Sequence, residues 1–598
     1  MSRLVAQPRQ IQMAKADATC IGRVRHVLGA TVTVALDPDL AGVSPIYRGR
    51  LQPIGQIGSL VRLPQGLVDL VASVSLLGIA ELAGTQKPVD AVQREERWLQ
   101  VQLLGEIDRG TGRFQRGVGS YPGLDDPVHF ATPEDLAAVF PPPGNRHIRL
   151  GRLSSAEGVP VCLAADRLVV RHAAVVGSTG AGKTSAVASL LQNFVRGGWG
   201  AAHIVVIDPH GEYAGALADK ASVRSVLAEG DDRLRVPYWA LPAADILRTF
   251  AGATGGQTFL SRFSELVASA RREFAAAAGW LNLDPSAITE DTPVPFDIRS
   301  VWHTIDSENR ETRTNKADPG TRCEVSPGDA ATLQSATFQP YNPAGQPPHK
   351  ATTFGLYGTM PDLLRLGLLD PRLQFLQEPQ GSLDGEDPLI QVMQEWLGLD
   401  RPISVLDFSG VPSEAADLAI GVVLNLLFEV AIRGVAGGPG IGRPSPVLIV
   451  LEEAHRYLGD SASPLTRDSA NKIAREGRKY GIGLLLVSQR PTELPKTALA
   501  QSGTLIALRL SNSEDQSVIR AALPDSASGL ASLLPSLRTG EAIVSGEAVT
   551  LPARALVDLP DPQPWAEDPL LDSWRAEIVK PDLGPALNAW RGTYDQQP

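Results

Sequence analysis

The chain has 598 residues, too many for one ordinary hydrophobic core, so two or more domains are expected. A hydrophobic content of 43% against 20% charged residues is a globular balance and excludes a fibrous or wholly disordered chain. The net charge of −11 excludes a uniformly basic, nucleic-acid-coating surface but not a local basic channel, and 5% aromatic residues offer few platforms for stacking single strands.

The N-terminal stretch MSRLVAQPRQIQMAKADATC lacks the apolar segment of a secretory signal. No apolar run approaches the ~20 residues that cross a bilayer, so a cytoplasmic protein without membrane contact is expected. Cys20, Cys162 and Cys323 show no metal-ligand spacing and read as buried free thiols of a reducing cytosol. Short alternating runs, IGRVRHVLGATVTVAL, GQIGSLVRLP, LVDLVASVSLLGIAEL and RWLQVQLLGEI, suggest a small β-barrel. The prolines of VFPPPGNRH punctuate its end, which gives residues 1–145 as barrel and connector.

From there apolar runs alternate with helical patterns, the signature of an α/β fold. HAAVVG, AAHIVVID, PISVLDF, PVLIVLEE, GIGLLLVS and GTLIALRL read as buried parallel strands. They place the two parts of one core at 146–211 and 401–552. Residues 212–400 read as a mostly helical insertion with a long mobile loop over 306–350, where Pro, Gly and Asn are frequent. Residues 553–598, with Trp565, Trp574 and Trp590 among prolines, read as an extended arm.

VVGSTGAGKTS holds Gly177-x-x-x-x-Gly182-Lys183-Thr184, a full P-loop pattern between a strand and a helix. Gly177, Gly180 and Gly182 let the backbone curl so that the N–H groups of residues 177–185 (Ser178, Thr179, Ala181 and Ser185 among them) face phosphate oxygens of ATP. Lys183 reaches the β- and γ-phosphates, and Thr184 offers a hydroxyl to Mg²⁺. Such a site needs acidic groups on a neighbouring strand. In VLIVLEEAHRYL, Glu452 suits the Mg²⁺ and Glu453 the attacking water, their side chains on opposite faces if the strand runs through them. Asp208 of VVIDPHGEY could orient a metal-bound water or support Lys183, with His210 beside it. Gln489, at the end of LLLVSQRP, could sense the γ-phosphate. The basic helix SANKIAREGRKYGIG presents Lys472, Arg475, Arg478 and Lys479; Arg478 is placed to act on a neighbouring copy's nucleotide, which implies a closed ring. Arg171 is a second candidate for a nucleotide contact.

Together GSTGAGKTS, DPHGEY, VLEEAH, IAREGRKYGIGLLLVSQRP and LRLSN resemble the HerA members of the HerA/FtsK ATPases. The front end, with FQRGVGSYPGLDDPV, is similar to that family's N-terminal barrel. The resemblance implies a RecA-like core, a homohexamer and ATP-driven movement on double-stranded DNA. It assigns nucleotide turnover to Lys183, Glu453, Arg478 and Gln489, with Arg171 and Asp208. The insertion departs from the compact archaeal members and looks like the larger bacterial ones. Several of those pair with an effector, a nuclease or a sirtuin-like NAD hydrolase in anti-phage defence, docked on the barrel. The alternative is a scaffold in which ATP only gates such an effector.

Overall fold

The computed structural model describes residues 19–38, 40, 46–47, 50–51, 56–79, 97–141, 144–217, 219–377, 381–437, 440–460, 462–564 and 582–591. Trp565, Trp574 and the side chain of Trp590, expected in the C-terminal arm, lie outside them. The chain forms two compact units: Met1–Trp199 with Leu484–Asp561, and Gly200–Gly483 with Pro562–Pro598.

The first unit begins with the barrel. Its strands are β1 (Cys20–Leu28), β2 (Thr31–Leu36), β3 (Leu60–Gln65), β4 (Val68–Ile79), β5 (Arg97–Asp108), β6 (Phe114–Arg116) and β7 (Pro127–Phe130). They pair antiparallel in the order β2-β1-β7-β3-β4-β5-β6, and β2 also pairs with β5, closing a ring of six with β6 outside it. Alternation does this: β2 turns Val32, Val34 and Leu36 inward, onto Val24, Leu63, Leu70, Leu99 and Val101. A Cβ on Gly22 would sit 2.1 Å from the Ala35 carbonyl oxygen, so β1 and β2 approach this closely only with glycine there. Arg116 of β6 ties the barrel to the rest of the unit, donating to the carbonyls of Gly546, Val549 and Thr550.

Beyond the barrel come β8 (His147–Leu153), β9 (Ala156–Ala164), β10 (Ala173–Val176), α1 (Lys183–Arg196), β11 (His203–Asp208) and β12 (Ala221–Ser225). Then follow α2 (Gln257–Ala277), α3 (Ile298–Arg310), β13 (Ile403–Asp407), α4 (Ser413–Gly437), β14 (Val447–Leu451) and α5 (Pro464–Tyr480). The last strands are β15 (Ile482–Ser488), β16 (Thr504–Ala507), β17 (Glu541–Gly546) and β18 (Ala553–Val557). In the first unit β10 lies parallel between β15 and β16, and β17, β18, β8 and β9 extend the sheet antiparallel. In the second unit β14, β11, β13 and β12 are parallel, and β14 is buried at all five residues. Continuous apolar runs are what strands covered on both faces require. The α/β class and the barrel are as the sequence implied.

Five expectations change. Of the three cysteines read as buried, the structure buries only Cys323 and leaves Cys20 and Cys162 half-buried. β12 lies within the residues read as a helical insertion, yet it pairs with β13 and belongs to the sheet. β18 lies within the expected arm, yet it pairs with β17 and β8, and residues 584–591 form a helix. The long loop over 306–350 is a folded excursion. α3 runs to Arg310, and Thr312–Arg313 pairs with His349–Lys350 while Glu324–Ser326 pairs with Thr337–Phe338. Its Asn and Asp residues build the turns: Asn315, Asp318, Asp329 and Asn342 each accept from the backbone N–H two residues on. Finally, residues 413–434 of α4 reach a mean hydropathy of 2.0 and are long and apolar enough to span a bilayer, contrary to the reading above. Two thirds of that window is buried in the protein, and a helix apolar all round suits a core position.

The helical part of the second unit packs around Trp239, Trp302 and Trp396, all fully buried. Arg271 of α2 is buried among them, donating to the Trp239 and Leu241 carbonyls at 2.7 and 2.8 Å and to that of Glu290, above the Phe296 ring. Its charge is met by three carbonyls, those of Trp239, Leu241 and Glu290.

Candidate nucleotide-binding site

In the first unit the four buried residues of β10 lead directly into the glycine-rich loop. Gly180 and Gly182 have φ of 72° and 96°, in the left-handed region open to glycine, and the chain then enters α1 at Lys183. A Cβ on Gly177 would lie 2.9 Å from that of Leu508, so this glycine admits the strand beneath the loop. The loop is held by backbone on several sides. Gly177 donates to Ser488 at 3.3 Å, Ser178 to Arg509 at 2.8 Å, and Gly540 to Ala181 at 3.0 Å. Ala181 and Lys183 are buried, Ser178, Thr184 and Ser185 half-buried, and Thr179 exposed. Lys183 Nζ lies 3.5 Å from the Ser178 carbonyl, so the ammonium is folded back along the loop. The 14-residue helix α1 sets its positive N-terminal end here.

Gln489 follows β15, whose parallel pairing with β10 carries it to the same edge of the sheet. Its Oε1 accepts from the Thr179 hydroxyl at 2.9 Å. The structure thus brings the expected sensor amide onto the P-loop. Arg171 does not join it. It precedes β10, so a four-residue strand, about 13 Å long, lies between it and the loop. Its guanidinium pairs with Glu547 at 3.0 Å, alongside Arg167 at 3.3 Å. The charge of Arg171, the second candidate for a nucleotide contact, is thus engaged with Glu547 before the strand begins.

The second unit holds the carboxylates. β14 stops at Leu451 and a turn follows, so the strand does not run through both glutamates as the two-face reading required. Glu453 adopts φ of 53°, a backbone region that a non-glycine residue enters at a cost of about 1–3 kcal/mol. Both side chains are buried, 3% and 9% exposed. Glu452 Oε2 accepts from the Tyr213 hydroxyl at 2.6 Å. Glu453 Oε2 lies 3.1 Å from His455 Nδ1.

Asp208 ends β11 fully buried, and its oxygens are occupied. Oδ1 accepts from the backbone of His210 and Gly211 at 3.2 and 2.9 Å, and Oδ2 from that of Tyr213 at 2.9 Å. Burial raises its pKa and these N–H donors pull it back. Asp208 therefore shapes the turn that presents Tyr213. His210 is exposed. Tyr213 is fully buried, and burial followed by the Glu452 charge drives its pKa far up, so it is a fixed hydroxyl donor. Tyr213 and His455 are the residues the motif reading left without a role, although both stand in the quoted DPHGEY and VLEEAH.

On α5, Ala470, Ile473, Ala474 and Gly477 face inward, while Lys472, Arg475, Arg478 and Lys479 are exposed. Arg478 makes no side-chain hydrogen bond or ion pair with the described residues.

The chain matches the family described as "Helicase HerA, central domain" over residues 148–337 and that described as "Helicase HerA-like C-terminal" over residues 436–557. A probable helicase of Methanocaldococcus jannaschii is 26% identical over 79% of this chain and 82% of its own. The DNA double-strand break repair helicases HerA of Pyrococcus furiosus and Sulfolobus acidocaldarius are each 24% identical, over 77% and 81% of this chain and 77% and 83% of theirs. Among solved structures, VirB4 of Thermoanaerobacter pseudethanolicus superposes with a TM-score of 0.44 at 14% identity, covering 70% of this chain and 97% of that one. The plasmid coupling protein TrwB gives 0.41 at 13% identity, covering 73% and 94%. The two HerA domain matches carry the motifs whose geometry is described above, and the chain belongs to the HerA/FtsK family of P-loop ATPases.

Proposed function

We propose that this protein is one subunit of a homohexameric ring that hydrolyses ATP to move double-stranded DNA, serving a partner effector docked on the barrel. That effector is a nuclease or a sirtuin-like NAD hydrolase acting in DNA processing or anti-phage defence. The observation that carries the reading is the P-loop with a strand-end glutamine bonded to it at 2.9 Å. That juxtaposition is what hydrolysis, and not mere binding, requires: an amide beside the cradle that can address the terminal phosphate and the attacking water. The similarity to HerA repair helicases over more than three quarters of the chain supports DNA as the track.

The residues fit ATP and Mg²⁺. The cradle is closed to Cβ atoms at Gly177; the Thr184 hydroxyl in the first unit and, within the second, Glu452 held by Tyr213 are each oxygen donors of the kind a hard cation takes. When bound, Mg²⁺ would supply charge neutralisation on the phosphates. Lys183 holds the phosphates, Gln489 positions the water, and Glu453, buried beside His455, takes its proton. Arg478, exposed and without an ion pair among the described residues, stabilises the charge on the neighbouring copy's nucleotide.

Phosphate release, measured with and without duplex DNA, tests this. Duplex should stimulate the wild type several-fold, and Lys183→Ala should abolish turnover in both conditions. Hydrolysis indifferent to DNA would refute the motor. It would favour a scaffold in which ATP gates the effector, a reading the net charge of −11 already leans toward.

A further inference from the structure

We propose that Arg509 is a second phosphate-binding cation of the P-loop, taking the γ-phosphate of a nucleoside triphosphate alongside Lys183. The inference rests on the ATPase reading above and adds a residue to its site.

The position follows from the sheet. β16 runs parallel to β10 with Ala507 opposite Val176, so the residues after Ala507 pass beside the loop that follows Val176. The two segments are laced together. Ser178 donates its N–H to the Arg509 carbonyl at 2.8 Å, Ser511 donates its N–H to the Ser178 hydroxyl at 3.0 Å, and the two serine hydroxyls lie 3.1 Å apart. Burial alternates along this stretch: Leu508 and Leu510 are fully buried, Arg509 half-buried and Ser511 exposed. An extended chain sends alternate side chains to opposite sides. Leu508 packs beneath the loop, its Cβ meeting the one Gly177 lacks. Arg509 therefore shares its side with Ser511, whose hydroxyl is already on the P-loop.

The charge has no other use in view. Arg149, Arg171, Arg538 and Arg554 of the same unit pair with Asp558, Glu547 and Glu541. The Arg509 guanidinium makes no hydrogen bond or ion pair with any described residue, though it is half withdrawn from water. A guanidinium in that position calls for an anion, and a planar five-donor fork matches phosphate oxygens well. Ser178 fixes which phosphate. Lys183 Nζ lies 3.5 Å from its carbonyl and the Arg509 carbonyl accepts from its N–H, so the Lys183 ammonium and the backbone that carries the Arg509 side chain meet at the same residue of the loop. Lysine at this motif position serves the β- and γ-phosphates.

The test is equilibrium binding of fluorescent ATP and ADP analogues to the full-length protein, comparing wild type, Arg509→Gln and Arg509→Lys, with Lys183→Ala as the site control. Losing a charge-assisted contact predicts about 10- to 100-fold weaker ATP binding in Arg509→Gln with ADP little changed. Arg509→Lys should recover part of that loss. Unaltered ATP affinity in Arg509→Gln would overturn the inference, and an equal loss for ATP and ADP would overturn the γ-phosphate assignment. If Arg509→Gln does not fold, judged by its thermal midpoint without nucleotide, the ATP-to-ADP ratio of Arg509→Lys decides, a ratio equal to the wild type's counting against the inference. A wild type that binds neither nucleotide would sink the ATPase reading itself, and this inference with it.

Discussion

Tyr213 holds Glu452 with one hydroxyl at 2.6 Å, inside a turn whose backbone Asp208 gathers. Removing that hydroxyl leaves a buried carboxylate short of a charge-assisted donor, a loss on the order of 1.5–3 kcal/mol. Tyr213→Phe is therefore expected to lower ATP turnover by about 10- to 100-fold and to raise the Mg²⁺ concentration giving half-maximal activity. A merely structural tyrosine would leave that Mg²⁺ dependence where it was. At this scale the motifs were informative where chemistry fixes spacing: Lys183 and Gln489 stand where the P-loop pattern and the strand end put them. They were uninformative where a residue's partners come from elsewhere in the chain. Nothing local to VVIDPHGEY says that Asp208 spends both oxygens on backbone, and nothing in VLIVLEEAH announces that Glu453 leaves the strand with φ of 53°.

Between elements, one histidine joins two strands of the nucleotide-binding unit. His172 immediately precedes β10, itself at φ of 54°, and its Nδ1 accepts from the Leu484 N–H of β15 at 2.9 Å. This bond pins the strand that feeds the P-loop to the strand that ends in Gln489. Burial drives the His172 pKa down to about 4 from the ordinary 6.5. In that window the unfolded chain carries a proton that the folded one refuses, so stability is complete above pH ~6.5 and is lost as pH falls toward ~4, by roughly 3 kcal/mol. His172→Asn keeps an acceptor and tolerates the left-handed backbone, but does not titrate. Its denaturation midpoint, relative to the wild type's, should rise as pH is lowered from 6.5 to 4. A constant difference across that range would refute the coupling. The elements themselves were legible wherever pattern and burial coincide, as in the alternating barrel strands and the apolar runs of β11, β13 and β14. The misreadings arose where composition pointed one way and pairing another. Pro552 and the prolines beyond β18 masked a strand, and the Asn and Asp residues that suggested a loose 306–350 loop are those that close its turns.

For the whole molecule the decisive question is whether one active site takes residues from two copies. Arg478 sits on the exposed face of α5, without an ion pair among the described residues, and that helix leads through Gly481 into β15, which Gln489 follows. An exposed guanidinium is worth little to the stability of its own subunit, so Arg478→Ala should fold and assemble normally and bind ATP with wild-type affinity. Its turnover should nevertheless fall by about three orders of magnitude or more, the value of an arginine finger. Mixing then separates the two arrangements. Lys183→Ala rings lack the phosphate lysine and Arg478→Ala rings lack the finger, so each alone is inactive. In a mixed ring, some junctions pair an intact P-loop from an Arg478→Ala copy with an intact Arg478 from a Lys183→Ala neighbour, and turnover should reappear in proportion to those junctions. Subunits that exchange, shown by energy transfer between labelled copies, yet stay inactive in every ratio would place Arg478 outside the neighbouring site and leave its helix as a solvated basic face.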